Sequence, residues 1–436
     1  MNVVVIVLDS LRPDKVGCYG SSVQTPVIDR LASQGVLLER CYAEFPNTIP
    51  ARTALVSGIY TFTNRPWKEL DPSDQHLAEI FRDGGYRTAA FSDTPFNNGA
   101  HMERGFVDFV HLPMGKCLAP IDDQPLLPPD DAYFPPGFPE KEYLFYPKTR
   151  ANREYCMGKY GKYLPELMTD AVGEWLTEHQ SERFFLWVDS FNPHEPWDAP
   201  EPYRSMYGPA RGSEGRYLPM PMGPDMSWTR PGDLEHVHAL ANACATETDF
   251  YVGHILDKLD ELGLAEDTLL VLLSDHGVPL GEHGSIRKFN YPLYEELSHT
   301  VCMFRWPKQF AAGRRVQGLT QNLDLLPTLL SAAGLEAPVK PEGLDLLPLL
   351  RGDVDRVRDE LYLGAFNYNA GVVTDDGWKF IDHRGERPNE LFHLPTDPLE
   401  RRNVIAENSA LAADLYHRLY DFYEPWRWKR SRHHKR

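Results

Sequence analysis

The sequence predicts an α/β fold: a large, mostly parallel sheet sandwiched by helices, then a small C-terminal antiparallel sheet with a helix. Three observations predict it. Continuous apolar runs such as residues 3–8 and 268–273 read as strands buried on both faces. Segments of helical periodicity separate those runs, an alternation that gives a parallel sheet with helices on both sides. After residue 351 the pattern changes to short strands in close succession and one terminal helix, the order of a small antiparallel sheet with a helix packed on it.

Taken in order, the first strand covers residues 3–8 and delivers Asp9 at its carboxyl end. Thr25-Pro26 opens a helix through Ala32, with the cap and first-turn proline that helices favour. Further strands are expected at residues 87–91, 184–188, 268–273 and 300–304, and helices near 75–82, 165–178, 237–262 and 323–333. Two stretches rich in proline, tyrosine and glycine, residues 112–163 and 198–231, interrupt the rhythm and read as ordered excursions that could roof a site. Their aromatic parts, residues 143–163 and 203–228, have the character of a specificity roof. The late strands fall at residues 361–366, 370–374 and 378–382, and the terminal helix at 409–423. This gives a large domain over residues 1–355, a small α+β subdomain over 356–425 and a basic tail over 426–436. For that tail, dense in Trp, Arg, Lys and His, the bland reading is a solvated end and the sharper one a homo-oligomerisation arm.

At 436 residues the chain can bury a sizeable core. Its net charge of −18 excludes a nucleic-acid partner, since phosphate-backbone binding needs a basic face, and any anionic substrate must meet a local positive site. No apolar run approaches the ~20 residues needed to cross a bilayer. Residues 3–8 lack the flanks of a signal peptide, so a soluble protein in the cytoplasm is expected, without a membrane partner. Six cysteines, widely spaced and with no Cys-x-x-Cys pair, suit free buried thiols better than a disulfide framework or zinc cage.

Chemistry concentrates where strands end. In an open α/β sheet ligands bind at the carboxyl edge, and Asp9, Asp189 with nearby His194, and Asp275-His276 all follow strands. A carboxylate and an imidazole side by side, with Asp9 from a neighbouring strand, suit a divalent cation; alone, an Asp-His pair is more often a structural contact. Asn47-Thr48-Ile49-Pro50-Ala51-Arg52 places a threonine at a helix amino end, where free N–H groups favour an oxyanion. Arg52, one turn on, can stabilise a deprotonated nucleophile and an anionic substrate. The hexapeptide taken alone reads as an ordinary threonine cap.

Together these segments resemble the sulfatase family of the alkaline phosphatase superfamily. Residues 5–14 with Gly17-Cys18-Tyr19-Gly20 resemble its opening metal motif, residues 25–32 the helix after it, and Thr48-Ile49-Pro50-Ala51-Arg52 its Cys/Ser-x-Pro-x-Arg nucleophile signature at every position but the first. Residues 192–197 resemble the active-site histidine segment, and residues 256–259 and 267–277 the approach to its second metal motif. Residues 283–288 match His-Gly-x-x-x-Lys, and residues 324–328 and 390–403 its later landmarks.

The resemblance implies an alkaline phosphatase-like fold, with Asp9, Thr48, Asp275 and His276 as metal ligands and Thr48 as nucleophile. Arg52, His194 and Lys288 would be catalytic and substrate-binding around the transferred group. His194 also reads as a core histidine, and Lys288 as a loop lysine paired with Glu282 or Glu295. Family sulfatases convert Cys or Ser to formylglycine; threonine is not expected to mature so, whereas relatives resembling phosphodiesterases and phosphonate monoester hydrolases use unmodified threonine through a phospho-threonine. Ser10 stands where a paired acid is common, which removes an oxygen from a calcium site and leaves manganese or zinc open. One divalent ion (Mn, Zn or Ca) is expected; Asp189, His194, His283 and His299 are the residues open to a second, which is not favoured. The implied function is metal-dependent hydrolysis of small anionic phosphate or phosphonate mono- or diesters. Sulfate-ester hydrolysis and a catalytically silent anion-binding homologue are the alternatives.

Overall fold

The computed structural model describes residues 1–94, 100–112, 145–208, 226, 229–288 and 293–433, with side chains of 145–152 and 424–433 left aside. Eleven strands precede the C-terminal sheet in this described part: β1 (Asn2–Leu8), β2 (Val36–Leu38), β3 (Cys41–Tyr42), β4 (Arg87–Ser92), β5 (Asp108–His111), β6 (Phe184–Ser190), β7 (Thr268–Ser274), β8 (His299–Thr300), β9 (Cys302–Arg305), β10 (Arg314–Val316) and β11 (Thr320–Gln321). The large sheet runs β10-β2-β9-β7-β1-β6-β4-β5. All its pairings are parallel except those of β9 with β2 and β7.

Burial explains why β1 is apolar from Val3 to Leu8. Val3, Val5 and Val7 enter one core with residues of helices Thr48–Ser57, Leu77–Asp83 and Leu325–Ala333. Val4, Ile6 and Leu8 enter another, built with helices Pro26–Gln34, Leu164–His179 and Asp233–Glu261. Alternating side chains thus serve opposite faces, and each face carries a helical layer.

The strand expected at residues 300–304 is divided. The Ser274 amide donates to the Val301 carbonyl, and the Val301 amide donates to Ser274 Oγ. That crossing turns β8 into a three-stranded sheet, β11-β3-β8, and leaves β9 in the large one. β2, β3, β10 and β11, each two or three residues long, are too short for a periodicity to announce them.

At the C-terminal end an antiparallel sheet orders β12 (Glu360–Ala365), β13 (Asn369–Thr374), β14 (Trp378–Asp382) and β15 (Glu390–His393). Leu415 and Leu419 of helix Ser409–His433 pack on Val372, Phe380 and Leu391 of this sheet. The helix continues beyond the expected residue 423, through His433. Of the expected roofing inserts, helices Phe145–Tyr160 and Tyr203–Met206 are described; residues 113–144, 209–225 and 227–228 lie outside the described residues. Cys18, Cys41, Cys244 and Cys302 are free thiols, as expected, and Cys117 lies outside the described residues. Among the described residues no helix is long and apolar enough to cross a membrane.

Candidate active site at the carboxyl edge of the sheet

Register brings the polar strand ends together. Leu8 stands opposite Ser190 of β6 and Ser274 of β7, so Asp9, Asp189 and Asp275 emerge at one edge. Ser10 ties two of them: its amide donates to Asp275 Oδ1 at 3.0 Å and its hydroxyl to Asp9 Oδ1 at 2.7 Å. It does so at φ 66°, a left-handed conformation that costs a non-glycine residue about 1 kcal/mol or more. Gly277 is required for space, because a Cβ there would lie 2.3 Å from the Glu296 carbonyl oxygen.

Helix Thr48–Ser57 aims its amino end at this edge. Asn47 is its extended N-cap and Thr48 its first residue, not its cap. Gly58 closes the far end at φ 71°, donating to the Ala54 carbonyl. Asn322 anchors the near end by accepting from the Glu44 amide and donating to the Ala51 carbonyl. Thr48 Oγ1 thereby lies 3.3 Å from His276 Nε2.

The donor set fits a divalent cation. His276 Nδ1 is 2.7 Å from the Gly277 carbonyl oxygen, which can only accept, so Nδ1 carries the proton and Nε2 a lone pair. Burial, reinforced by the Lys288 ammonium, pushes this imidazole down to about 3, so it stays neutral. Its lone pair faces Asp275 Oδ2 at 3.2 Å and Asp9 Oδ1 at 3.9 Å. Asp9 Oδ2 accepts no hydrogen bond from the described residues although it is buried. Two carboxylates and an imidazole lone pair converging without a proton between them call for a positive ion. Among the described residues Asp9, Asp275 and His276 are the cluster whose ligand atoms lie within 4.8 Å of one another.

Arg52 lies beneath this cluster, 1 % exposed. Nε and Nη2 grip the two oxygens of Asp189 at 2.9 and 2.6 Å, Nη1 donates to Asp275 and to the Thr48 carbonyl, and Nη2 lies 3.2 Å from Asp9. The guanidinium therefore ties the three carboxylates to the first turn of helix Thr48–Ser57. Asp189, open to a second ion from sequence, spends its oxygens on Arg52 and Thr94.

His194 and Lys288 meet across the opening, Nζ to Nε2 at 2.9 Å. His194 Nδ1 lies 2.6 Å from the Glu195 carbonyl oxygen, so Nε2 is the acceptor and the lysine the donor. Burial, the largest influence, pushes His194 down to about 4. Lys288 also donates to Ser10 Oγ, while Glu282 pairs with Arg12 and Glu295 with Lys379. His283 is bonded to Glu296, and His299 to the Glu39 carbonyl; both line a separate cavity of about 360 Å³ with Arg12 and Glu39.

Sequence reasoning passed over Asp93 and Thr94. They follow β4, and Thr94 Oγ1 donates to Asp189 Oδ1 at 2.8 Å. Burial pushes the Asp93 carboxyl up to about 7 as it accepts from the Phe191 amide. The same rule that singled out Asp9, polar residues directly after an apolar strand, would have found them.

Residues 1–335 match the family model described as Sulfatase. The chain belongs to the sulfatase family. Residues 281–424 match a second model, N-sulphoglucosamine sulphohydrolase, C-terminal. Family members are metal-binding hydrolases of esters. The multifunctional alkaline phosphatase superfamily protein PehA of Trinickia caryophylli is 24% identical over 490 residues, spanning 93% of this chain and 91% of that protein. The steryl-sulfatase of Mus musculus is 27% identical over 505 residues, spanning 93% and 78%. The crystal structure of the phosphonate monoester hydrolase of Agrobacterium radiobacter superposes with a TM-score of 0.76 at 23% identity, covering 98% of this chain and 96% of that one. This likeness shows an alkaline phosphatase-like fold.

Within this family site, Arg52→Lys is expected to cost more than a charge-conserving change suggests. A lysine cannot hold both oxygens of Asp189 while reaching Asp275 and the Thr48 carbonyl. A stability loss of about 2 kcal/mol in denaturant unfolding should accompany weaker inhibition by phosphate or vanadate. Unchanged inhibition in both Arg52→Lys and Lys288→Ala would place the anion elsewhere.

Proposed function

We propose that the protein hydrolyses phosphate or phosphonate mono- or diesters with Thr48 as nucleophile. The observation that carries this reading is Thr48 Oγ1 at the amino end of a buried helix, 3.3 Å from the unprotonated Nε2 of His276. A divalent ion held by Asp9, Asp275 and His276, with Thr48 Oγ1 beside them, would favour the alkoxide and draw charge from the ester. Thr48 Oγ bonds to phosphorus as the bond to the departing alcohol breaks, and free N–H groups of the helix amino end stabilise developing negative charge. Lys288, hydrogen-bonded to His194, gives the alcohol oxygen a proton. Water then cleaves the phospho-threonine, its proton returning to the Lys288–His194 pair, the Thr48 oxygen being released and the phosphoryl group leaving as phosphate or phosphonate, or as the monoester where the substrate was a diester.

Sulfate-ester hydrolysis is the second reading, favoured by the steryl-sulfatase relative and by the sulphohydrolase model over residues 281–424. Threonine lacks the geminal hydroxyl through which formylglycine expels sulfate, which is why phosphoryl esters come first. The test is turnover of 4-nitrophenyl phosphate, bis(4-nitrophenyl) phosphate, 4-nitrophenyl phenylphosphonate and 4-nitrophenyl sulfate with manganese, zinc or calcium added. At least one phosphoryl ester should exceed the sulfate by about 100-fold in kcat/KM, a gap of roughly 2.7 kcal/mol in transition-state stabilisation. A faster sulfate reaction would overturn the order, and inertness to all four esters would favour a silent anion-binding protein.

A further inference from the structure

His194 and Lys288 come from segments far apart in sequence, and nothing in the proposed chemistry explains what keeps them in contact. Their immediate neighbours do. Glu195 follows His194 and Arg287 precedes Lys288, and Arg287 Nε donates to Glu195 Oε1 at 2.5 Å. The Glu195 side chain is fully buried and that of Arg287 is 13% exposed, so this charged hydrogen bond lies where screening is weak.

Glu195 acts on the histidine twice. Its carbonyl accepts from His194 Nδ1 at 2.6 Å, and its carboxylate Oε2 stands 3.4 Å from the same nitrogen. Both contacts favour the tautomer whose Nε2 lone pair meets the lysine. Burial works to raise the Glu195 carboxyl, but His194, Arg287 and Lys288 together hold it below the usual carboxylate range. Arg287 adopts φ 63°, strained for a residue with a side chain. Its amide donates to the Pro279 carbonyl, beside the Leu280–Ile286 bridge. The loop that presents Lys288 is thus closed on itself, and the Glu195–Arg287 pair fastens it to the His194 segment beside the Lys288–His194 hydrogen bond.

We propose that Glu195 and Arg287 are a positioning pair for the reaction, a buried ion pair that fixes the His194 tautomer and holds Lys288 against Nε2. The pair touches no reacting atom. It rests on the functional reading above only in giving the dyad the role of proton donor.

Two measurements on full-length protein test it. Nitrogen-15 spectra of histidine-labelled protein, with His194→Gln to assign the signal, should show His194 protonated at Nδ1. Arg287→Met and Glu195→Gln should populate the Nε2-protonated form, and Arg287→Lys, which keeps the charge, should restore the original signal. In steady-state kinetics, Arg287→Met should lower kcat by about 100-fold for a phenyl ester, whose leaving group needs a proton, and by less than about fivefold for the 4-nitrophenyl ester, which does not. A merely structural defect would slow both alike. Nδ1 protonation unchanged in both variants, or equal slowing of the two esters, overturns the proposal. Were the wild type inert to every ester, the functional reading would fail while the nitrogen-15 spectra still decided the pair.

Discussion

Replacing Thr48 by alanine is expected to lower phosphoryl-ester turnover by about 10⁴-fold or more, because removal of a covalent nucleophile leaves only binding and electrostatic stabilisation. The protein should remain folded. Thr48 is the first helical residue rather than the N-cap, and its described side-chain contact is with His276 Nε2, so truncation leaves the helix bonded through Asn322 and capped at Gly58. A stability cost within about 1–2 kcal/mol follows for losing one small buried side chain. Intact-mass spectrometry of an acid-quenched wild-type reaction should show a phosphoryl adduct mapping to Thr48, absent in Thr48→Ala. Thr48→Cys, produced with a formylglycine-generating enzyme, should gain sulfate-ester turnover, since it supplies the missing geminal hydroxyl. Wild-type phosphoesterase activity in Thr48→Ala would remove the nucleophile assignment.

The features legible in the sequence were those fixed by a periodicity or by the end of a strand. β1, β4, β6 and β7 are apolar because both faces are covered, and the residues that follow them had to converge once the strands were parallel. That argument brings Asp9, Asp275 and His276 to one edge, where the structure places them. It does not show which partners Arg52, singled out one helical turn after Thr48, takes in the fold: Asp189, Asp275 and the Thr48 carbonyl. Sequence spacing shows a helix turn, not the depth at which a side chain stops. His283 and His299 illustrate the same limit, since their neighbours Glu296 and Glu39 come together only in three dimensions. Ser10 was noticed for the acid it replaces, yet its hydrogen bonds to Asp9 and Asp275 depend on a left-handed backbone that no composition reveals. The two-residue strands β3 and β8 were invisible because their pairing is dictated by the crossing at Ser274 and Val301.

Loss of the metal should follow from changing any member of the cluster, and the variants should differ in what they do to the metal-free protein. His276→Ala removes the one lone pair aimed between Asp9 and Asp275; Asp9→Asn and Asp275→Asn each remove a negative charge. Affinity for the ion should fall by more than about 100-fold in all three, the upper end of what altering even outer-shell partners costs. Wild-type protein, stabilised by RT ln(1 + [L]/Kd) when metal is present, should lose about 2.7 kcal/mol on chelation from a concentration 100 times Kd. Chelation should leave the variants unmoved. Metal-free Asp9→Asn should be more stable than metal-free wild type, because Asp9, Asp189 and Asp275 crowd around one arginine and Asp9 Oδ2 accepts no hydrogen bond from the described residues. Metal-free Asp275→Asn should be less stable, because Asp275 pairs with Arg52 and accepts from the amides of Ser10 and His276, bonds an amide side chain serves less well. Elemental analysis and melting curves with and without chelator read both quantities. A full metal complement in all three variants would move the site, and identical shifts in the two metal-free asparagine variants would mean that repulsion among the carboxylates is not what the ion relieves.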